Sequence, residues 1–188
     1  ACMIANAHAL ARYASICQEL DIVPIVEPEV LMDGSHNIDT CFTVTNEAQN
    51  ILFEALDKLD VNLTGIILKP NMVTSGSSCE KQASTEEIAE LTIKCLAKNI
   101  PKEVPGIAFL SGGQSDENAS NNLSHINKIN SNPWKLTFSY GRALQLEAMK
   151  KWCGDNNQNS EAQKIILKRA HFNSLAASGK YNLEMENN

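Results

Sequence analysis

Lys69 is the first candidate for chemistry in this sequence, because it closes the apolar run of residues 65–68 and precedes Pro70. A lysine at the end of a buried strand is partly desolvated, and desolvation lowers the pKa of an ammonium group and frees the amine as a nucleophile. Such an amine can form a Schiff base with a carbonyl compound. The alternative is a lysine that extends its ammonium from the strand end into water. The pattern alone leaves both interpretations open.

Two carboxylates, Glu27 and Glu29, bracket Pro28 after another apolar run. A carboxylate beside an imine-forming lysine can act as general acid and base while the carbinolamine forms and loses water. The alternative is a lysine-paired carboxylate with a structural role only. The spacing by itself favours that structural interpretation.

Two segments have the composition of phosphate-binding loops, residues 111–113 (Ser-Gly-Gly) and 139–142 (Ser-Tyr-Gly-Arg). Glycines let backbone N–H groups approach an anion, a following helix adds positive potential, and an arginine grips phosphate with two donors. Tight turns are the alternative, but two such turns with an arginine favour phosphate. The candidate ligands are Ser111, Gly112, Gly113, Ser139, Gly141 and Arg142.

The elements that position these residues alternate regularly. Apolar runs at residues 22–26, 63–68, 104–110 and 134–138 predict strands, and each is followed directly by a polar residue. Amphipathic patterns predict helices up to residue 20, at 45–59, from a capping box at Ser84, from near Ser115, from Gly141 with Trp152 facing inward, and at 160–175. We expect a loop at residues 154–159 and a frayed tail after residue 179.

This alternation predicts an α/β fold with a parallel sheet. Ligand sites in such folds lie at the carboxyl ends of the strands. We therefore expect Glu27, Lys69, Ser111 and Ser139 to converge on one edge of the sheet.

Composition excludes several classes of protein. The 188 residues suffice for one domain, and a net charge of −6 without a basic run argues against a general nucleic-acid binder. No apolar run approaches the roughly 18 residues that a membrane span needs. The six cysteines form no C-x-x-C pair and predict reduced cytosolic thiols, and the four histidines show no ligand spacing, so we expect no metal.

Five segments resemble class I fructose-1,6-bisphosphate aldolases. They are residues 11–18 (Ala-Arg-Tyr-Ala-Ser-Ile-Cys-Gln), 26–30 (Val-Glu-Pro-Glu-Val), 68–73 (Leu-Lys-Pro-Asn-Met-Val), 109–115 (Phe-Leu-Ser-Gly-Gly-Gln-Ser) and 136–144 (Leu-Thr-Phe-Ser-Tyr-Gly-Arg-Ala-Leu). The segments occur in the family's order, and the resemblance runs from about residue 3 to about residue 181.

The resemblance implies a TIM (β/α)₈ barrel, of which residues 1–181 supply about the C-terminal half, strands 5–8, with residues 182–188 as a tail. It implies reversible cleavage of fructose 1,6-bisphosphate to dihydroxyacetone phosphate and glyceraldehyde 3-phosphate. Lys69 would form the Schiff base, Glu27 would act as acid and base, and Glu29 would orient the lysine. The phosphate-loop residues would bind substrate, and no metal or cofactor is needed because the protonated imine is the electron sink.

The resemblance further implies a cytoplasmic homotetramer with possible cytoskeletal partners, no nucleic acid and no membrane. The family's N-terminal half carries an aspartate and further lysines and arginines that have no counterparts here. The family's C-terminal tyrosine is also missing. Two interpretations therefore stay open: a fragment of the full enzyme, or an inactive half-barrel that binds phosphate or a partner. Open strand edges predict marginal stability or self-association. Deoxyribose-phosphate aldolase or transaldolase relatives share the lysine chemistry but not these motifs.

Overall fold

A computed structural model describes residues 1–187 and shows strands and helices in the predicted alternation. The helices and strands are α1 (Cys2–Glu19), β1 (Ile25–Val26), α2 (Ile38–Lys58), β2 (Ile67–Leu68), α3 (Thr85–Asn99), β3 (Gly106–Phe109), α4 (Asp116–Ile129), β4 (Lys135–Phe138), α5 (Arg142–Trp152) and α6 (Asn159–Ala177). Short 3₁₀ helices lie at Leu63–Gly65, Asn156–Gln158 and Leu183–Asn187.

The four strands form one parallel sheet in the order β1-β2-β3-β4, which confirms the predicted parallel α/β architecture. Backbone hydrogen bonds continue the pairing past the strand ends. Lys69 N donates to Val26 O (2.7 Å), and Ser139 N donates to Phe109 O (2.8 Å). The carboxyl ends of the strands therefore meet along a single edge of the sheet.

Side-chain caps fix where the helices begin. The predicted capping box at Ser84 is present, with hydrogen bonds in both directions between Ser84 and Glu87. Helix α4 starts near Ser115 as predicted, and the Ser115 side chain caps it. The prediction for α2 was too short, since the helix begins at Ile38 and not at residue 45. Asn37 accepts a hydrogen bond from Thr40 N (2.9 Å) and so caps the helix, and Ile38, Cys41 and Phe42 in its first turns pack in a small apolar cluster with Val73 and Cys95.

Two predicted segments differ from the structure because of short-range hydrogen bonds. The predicted strand at residues 63–68 opens as a 3₁₀ turn, since Asn62 Oδ1 accepts from Thr64 N (3.1 Å) and from Thr64 Oγ1 (2.8 Å). The predicted loop at residues 154–159 likewise contains a 3₁₀ turn, started by Asp155, which accepts from Asn157 N (2.9 Å). The first of these turns shortens β2, and the other three strands are also shorter than the apolar runs that predicted them.

The core lies between the sheet and the helices that cover it. Its fully buried members include Val26, Leu68, Ile107, Phe109, Leu52, Leu56, Leu123 and Ile126. Trp134 is buried, and its indole N–H donates to Pro101 O (2.9 Å). The inward placement of Trp152 was wrong: the side chain is 43% exposed, because it lines an open groove of about 300 Å³ between α5 and α6.

Large apolar side chains are exposed in two groups, one on the α1–β1 flank and one on α5 and α6. Single exposed apolar residues are usual on protein surfaces, but groups of them are not. The first group is Tyr13, Ile16, Leu20, Ile22, Val23 and Ile25, and the second is Leu146, Met149, Trp152 and Leu167. β1 and β4 are also the edge strands of the sheet. Both flanks thus combine unpaired strand edges with exposed apolar surface.

The tail after residue 179 is held at Tyr181 and Glu186, whereas residues 182–184 are exposed and agree better with the frayed segment that the sequence predicts. Tyr181 is fully buried, its ring lies 5.6 Å from that of Phe172, and its carbonyl accepts from Ser124 Oγ (2.8 Å). Residue 188 lies outside the described residues. The six cysteines are free, as predicted, and no helix within residues 1–187 is long and apolar enough to cross a membrane.

Candidate active site

Lys69 and Glu27 meet at the carboxyl edge of the sheet. They follow the paired strands β1 and β2, whose register puts Val26 opposite Leu68. Lys69 Nζ lies 2.9 Å from Glu27 Oε1, and the side chains are 20% and 42% exposed. The ammonium is therefore paired and largely covered, rather than extended into water as the alternative interpretation has it.

The pair has the geometry that proton transfer requires. A separation of 2.9 Å falls inside the hydrogen-bond range of a general acid or base. An ammonium has three donors, and within residues 1–187 Glu27 is the only side chain that pairs with Lys69. Two donors of Lys69 are thus left for a ligand.

Glu29 lies in the same loop but forms no ion pair with Lys69 among the described residues. With Glu27 and Pro28 it lines a cavity of about 380 Å³, whose other walls include Leu10 of α1 and Leu52 of α2. No direct contact therefore supports the predicted orienting role of Glu29, which stays a prediction.

Asn71 is a buried polar residue in this region to which the sequence analysis assigned no role. Its Oδ1 accepts from Val30 N (3.1 Å), and its Nδ2 donates to Thr45 Oγ1 (3.1 Å) and to Met72 O (3.1 Å). The side chain joins the loop after β1 to α2 and to the segment after β2. An asparagine between Pro70 and the apolar residues Met72 and Val73 was the signal that could have identified it.

The loop of residues 111–113 presents unpaired backbone donors at the head of α4. Gly112 and Gly113 have φ values of +59° and +87°, a region that glycine adopts without strain. Ser111 is 8% exposed, and the amides of residues 111–113 have no acceptor among the described residues. Because α4 begins directly behind this loop, its positive end adds to the potential there. This local geometry suits an anion.

The second loop differs, because the sheet uses the Ser139 amide and Arg142 borders a different cavity. Ser139 N is occupied by the sheet, and Gly141 caps α5, with Leu144 N and Gln145 N donating to Gly141 O (both 3.1 Å). Arg142 is exposed, forms no ion pair within residues 1–187, and borders a cavity of about 170 Å³ with Arg169. Ser139 therefore joins the edge that holds Lys69, whereas Arg142 makes no contact with the Glu27–Lys69 pair.

A second cluster of charges, around Arg169 of α6, was not predicted. Arg169 Nε lies 3.1 Å from Asp116 Oδ2 and its NH1 lies 2.8 Å from Glu186 Oε1, which also accepts from Tyr181 OH (2.6 Å). Burial, and then the hydrogen bond to Glu186, raise the pKa of the Tyr181 phenol. Arg169 lies among Ile165, Phe172 and Asn173 on one helix face, a placement that could have signalled a buried cation. No group of three or more metal-ligating side chains occurs in the described part of the chain.

The comparisons with known proteins agree on one family. The family model for fructose-bisphosphate aldolase class-I matches residues 1–188. A probable fructose-bisphosphate aldolase class 1 of Xanthomonas axonopodis pv. citri (strain 306) is 53% identical over 181 residues, which is 96% of this chain and 54% of the relative. A fructose-bisphosphate aldolase of Plasmodium falciparum (isolate 3D7) is 49% identical over 176 residues, 94% of this chain and 48% of the relative.

A solved structure gives the same result in three dimensions. It is a ternary co-crystal structure of the Plasmodium falciparum aldolase with TRAP and a small-molecule inhibitor, and it matches with a TM-score of 0.94 and 48% identity. The match covers 96% of this chain and 52% of that one. The chain thus spans about half the length of the curated relatives it matches. By sequence and by fold, it belongs to the class I fructose-bisphosphate aldolase family.

Proposed function

We propose that this chain carries the Schiff-base centre of a fructose-1,6-bisphosphate aldolase, a lyase of glycolysis. The contact of 2.9 Å between Lys69 Nζ and Glu27 Oε1 at the carboxyl edge of the sheet carries the proposal. A covered lysine beside a single carboxylate suits imine chemistry, and family membership indicates the substrates: fructose 1,6-bisphosphate and the two triose phosphates.

In the proposed reaction, the Lys69 amine attacks the C2 carbonyl of fructose 1,6-bisphosphate. Glu27 donates a proton to the departing hydroxyl, so that the carbinolamine loses water and becomes an iminium. Glu27, which has given up its proton, takes the C4 hydroxyl proton as the C3–C4 bond breaks and the bonding electrons move into the iminium. Glyceraldehyde 3-phosphate leaves, an enamine remains on Lys69, and protonation at C3 followed by hydrolysis releases dihydroxyacetone phosphate. The iminium takes up the electrons, so the proposed reaction needs no metal or cofactor.

Phosphate binding is proposed for the two loops. The unpaired amides of residues 111–113 support one contact, and Ser139, Gly141 and the unpaired guanidinium of Arg142 support another. Asp116 in the first turn of α4 would repel a phosphate, but its pairing with Arg169 at 3.1 Å offsets that charge.

We further propose that the sheet is one half of a (β/α)₈ barrel, with strands β1 to β4 as its strands 5–8. The unpaired edges and the exposed apolar flanks support a continuation of the sheet at both sides. The division into residues 1–181 and a terminal segment, the homotetramer, the cytoplasmic location and the cytoskeletal partners stay predictions that rest on the family. TRAP is bound by the Plasmodium relative, and a protein partner for this chain is proposed on that likeness alone.

Trapping the imine tests the proposed chemistry. The chain is incubated with dihydroxyacetone phosphate and borohydride, and peptide mass spectrometry locates the reduced adduct. We expect an adduct at Lys69, none there in Lys69→Arg, and much less with unphosphorylated dihydroxyacetone because the phosphate loops would be unused. Absence of an adduct at Lys69, with phosphate ester still bound, would overturn the catalytic proposal and support an inactive phosphate-binding half-barrel.

A further inference from the structure

The segment of residues 69–71 holds both ends of the loop that carries Glu27. At the start of the loop, Lys69 N donates to Val26 O (2.7 Å), and at its end Val30 N donates to Asn71 Oδ1 (3.1 Å). Between these two points the loop has little else to hold its backbone. Pro28 has no N–H, and the amides of Glu27 and Glu29 have no acceptor among the residues described.

Asn71 is itself rigidly held, so it can serve as an anchor. The residue is 5% exposed, and its Nδ2 donates to Thr45 Oγ1 and to Met72 O, both at 3.1 Å. Thr45 belongs to α2 and is 2% exposed. Since Val30 N–H requires an acceptor and Met72 O requires a donor, the contacts fix the orientation of the amide. A flipped amide would lose both.

From this geometry we infer that Asn71 is a positioning residue for the Glu27–Lys69 pair, an inference that rests on the proposed aldolase function. The two side chains belong to different strand exits, and their separation of 2.9 Å depends on where the loop after β1 lies relative to residue 69. Asn71, which stands two positions after Lys69, links that loop to the segment that carries Lys69. A displacement of about 1 Å between reacting groups can cost on the order of 100-fold in rate, so a loop anchor acts on chemistry without touching substrate.

The first test uses the unaltered chain and measures amide hydrogen exchange by NMR. The amide of Val30 should exchange about tenfold or more slowly than that of Glu29, because only the former has a buried acceptor. Equal exchange rates at the two amides would show that Asn71 does not hold Val30 and would overturn the inference. This result does not depend on whether the chain forms an imine.

The second test measures the rate of borohydride trapping at Lys69 across dihydroxyacetone phosphate concentrations. Asn71→Leu, which keeps the size of the side chain but not its polar atoms, should lower the saturated rate about tenfold and leave half-saturation within about threefold, since the phosphate loops are unaltered. Thr45→Val is the matched control. It removes only the bond to α2 and should trap within about threefold of the unaltered chain.

The outcomes separate the two proposals. Equal saturated rates in Asn71→Leu and Thr45→Val, with trapping in the unaltered chain, overturn the positioning role alone. A parallel rise in half-saturation and fall in rate for Asn71→Leu indicates a general structural defect and also overturns it. No adduct in the unaltered chain overturns the proposed function, and the positioning role with it.

Discussion

Lys69 and Arg169 are both largely covered cations beside carboxylates, yet their surroundings differ in a way that separates chemistry from structure. Arg169 is 10% exposed, touches two carboxylates at 3.1 and 2.8 Å, and approaches Ser120 Oγ at 3.4 Å. Lys69 is 20% exposed and touches one carboxylate at 2.9 Å. The arginine uses three of its five donors on protein groups, whereas the lysine uses one of its three.

The difference in side-chain chemistry reinforces the difference in surroundings. A guanidinium does not lose its proton in proteins, so Arg169 cannot become a nucleophile, and its planar fork suits a bridge between two acids. A lysine amine can deprotonate and attack a carbonyl. A cation against a carboxylate is therefore not a functional signal by itself, and the number of partners is the more informative feature.

The largest effect on stability is expected from Arg169→Met. The change leaves Asp116 and Glu186 without their buried cation, which should lower the free energy of unfolding by about 3 kcal/mol. Urea unfolding followed by circular dichroism measures this. Lys164→Met is the control, because the exposed pair of Lys164 with Glu161 should contribute at most about 0.5 kcal/mol. Equal losses in the two variants would contradict the structural role of Arg169.

An intermediate effect is expected from Tyr181→Phe, which removes the hydroxyl that donates to Glu186 at 2.6 Å. A hydrogen bond to a charged group contributes about 1.5–3 kcal/mol, and the same urea measurement should show a loss in that range. A loss clearly larger than that of Arg169→Met would place the phenol, rather than the guanidinium, at the centre of the cluster.

The same tyrosine predicts a pH dependence. Because the pKa of Tyr181 is raised in the folded protein, its contribution to stability is fully present below the ordinary phenol pKa of about 10 and is lost as pH rises above it. Unfolding measured between pH 8 and 11 should show the free energy of unfolding falling less steeply in Tyr181→Phe than in the unaltered chain. Parallel curves would show that Tyr181 contributes nothing to this dependence.

The smallest effect on stability is expected from Lys69→Met. Its pair with Glu27 is partly exposed, so its removal should change the free energy of unfolding by less than about 1 kcal/mol while abolishing imine trapping. Urea unfolding and trapping on the same preparation check both parts. A loss of stability comparable to that of Arg169→Met would erase the distinction between the two cations.

The sequence predicted those features that local patterns determine. The capping box at Ser84 and the start of α4 near Ser115 follow from patterns within a few residues. The parallel sheet follows from the alternation of strands and helices, and strand order followed chain order. The placement of Glu27 beside Lys69 followed from two neighbouring strand ends in a parallel sheet.

Apart from the Glu27–Lys69 pair, contacts between distant parts of the chain were not predicted. The hydrogen bond from Val30 to Asn71 joins residues 41 positions apart, and the bond from Ser120 to Asn173 joins residues 53 apart. Such partners depend on how helices pack over the sheet, which periodicity does not specify. Trp152 was misplaced for the same reason, because a helical stripe shows a face but not what covers it.

The distribution of trapped adducts over all lysines tests the central claim most directly. Exposure alone predicts that Lys164, 69% exposed, reacts more than Lys69, 20% exposed. Our account predicts the reverse with dihydroxyacetone phosphate and borohydride, with Lys69 as the dominant site. It also predicts a fall of about 100-fold in the Lys69 rate in Glu27→Gln, which loses the acid and base. Labelling that follows exposure and is indifferent to Glu27→Gln would contradict it.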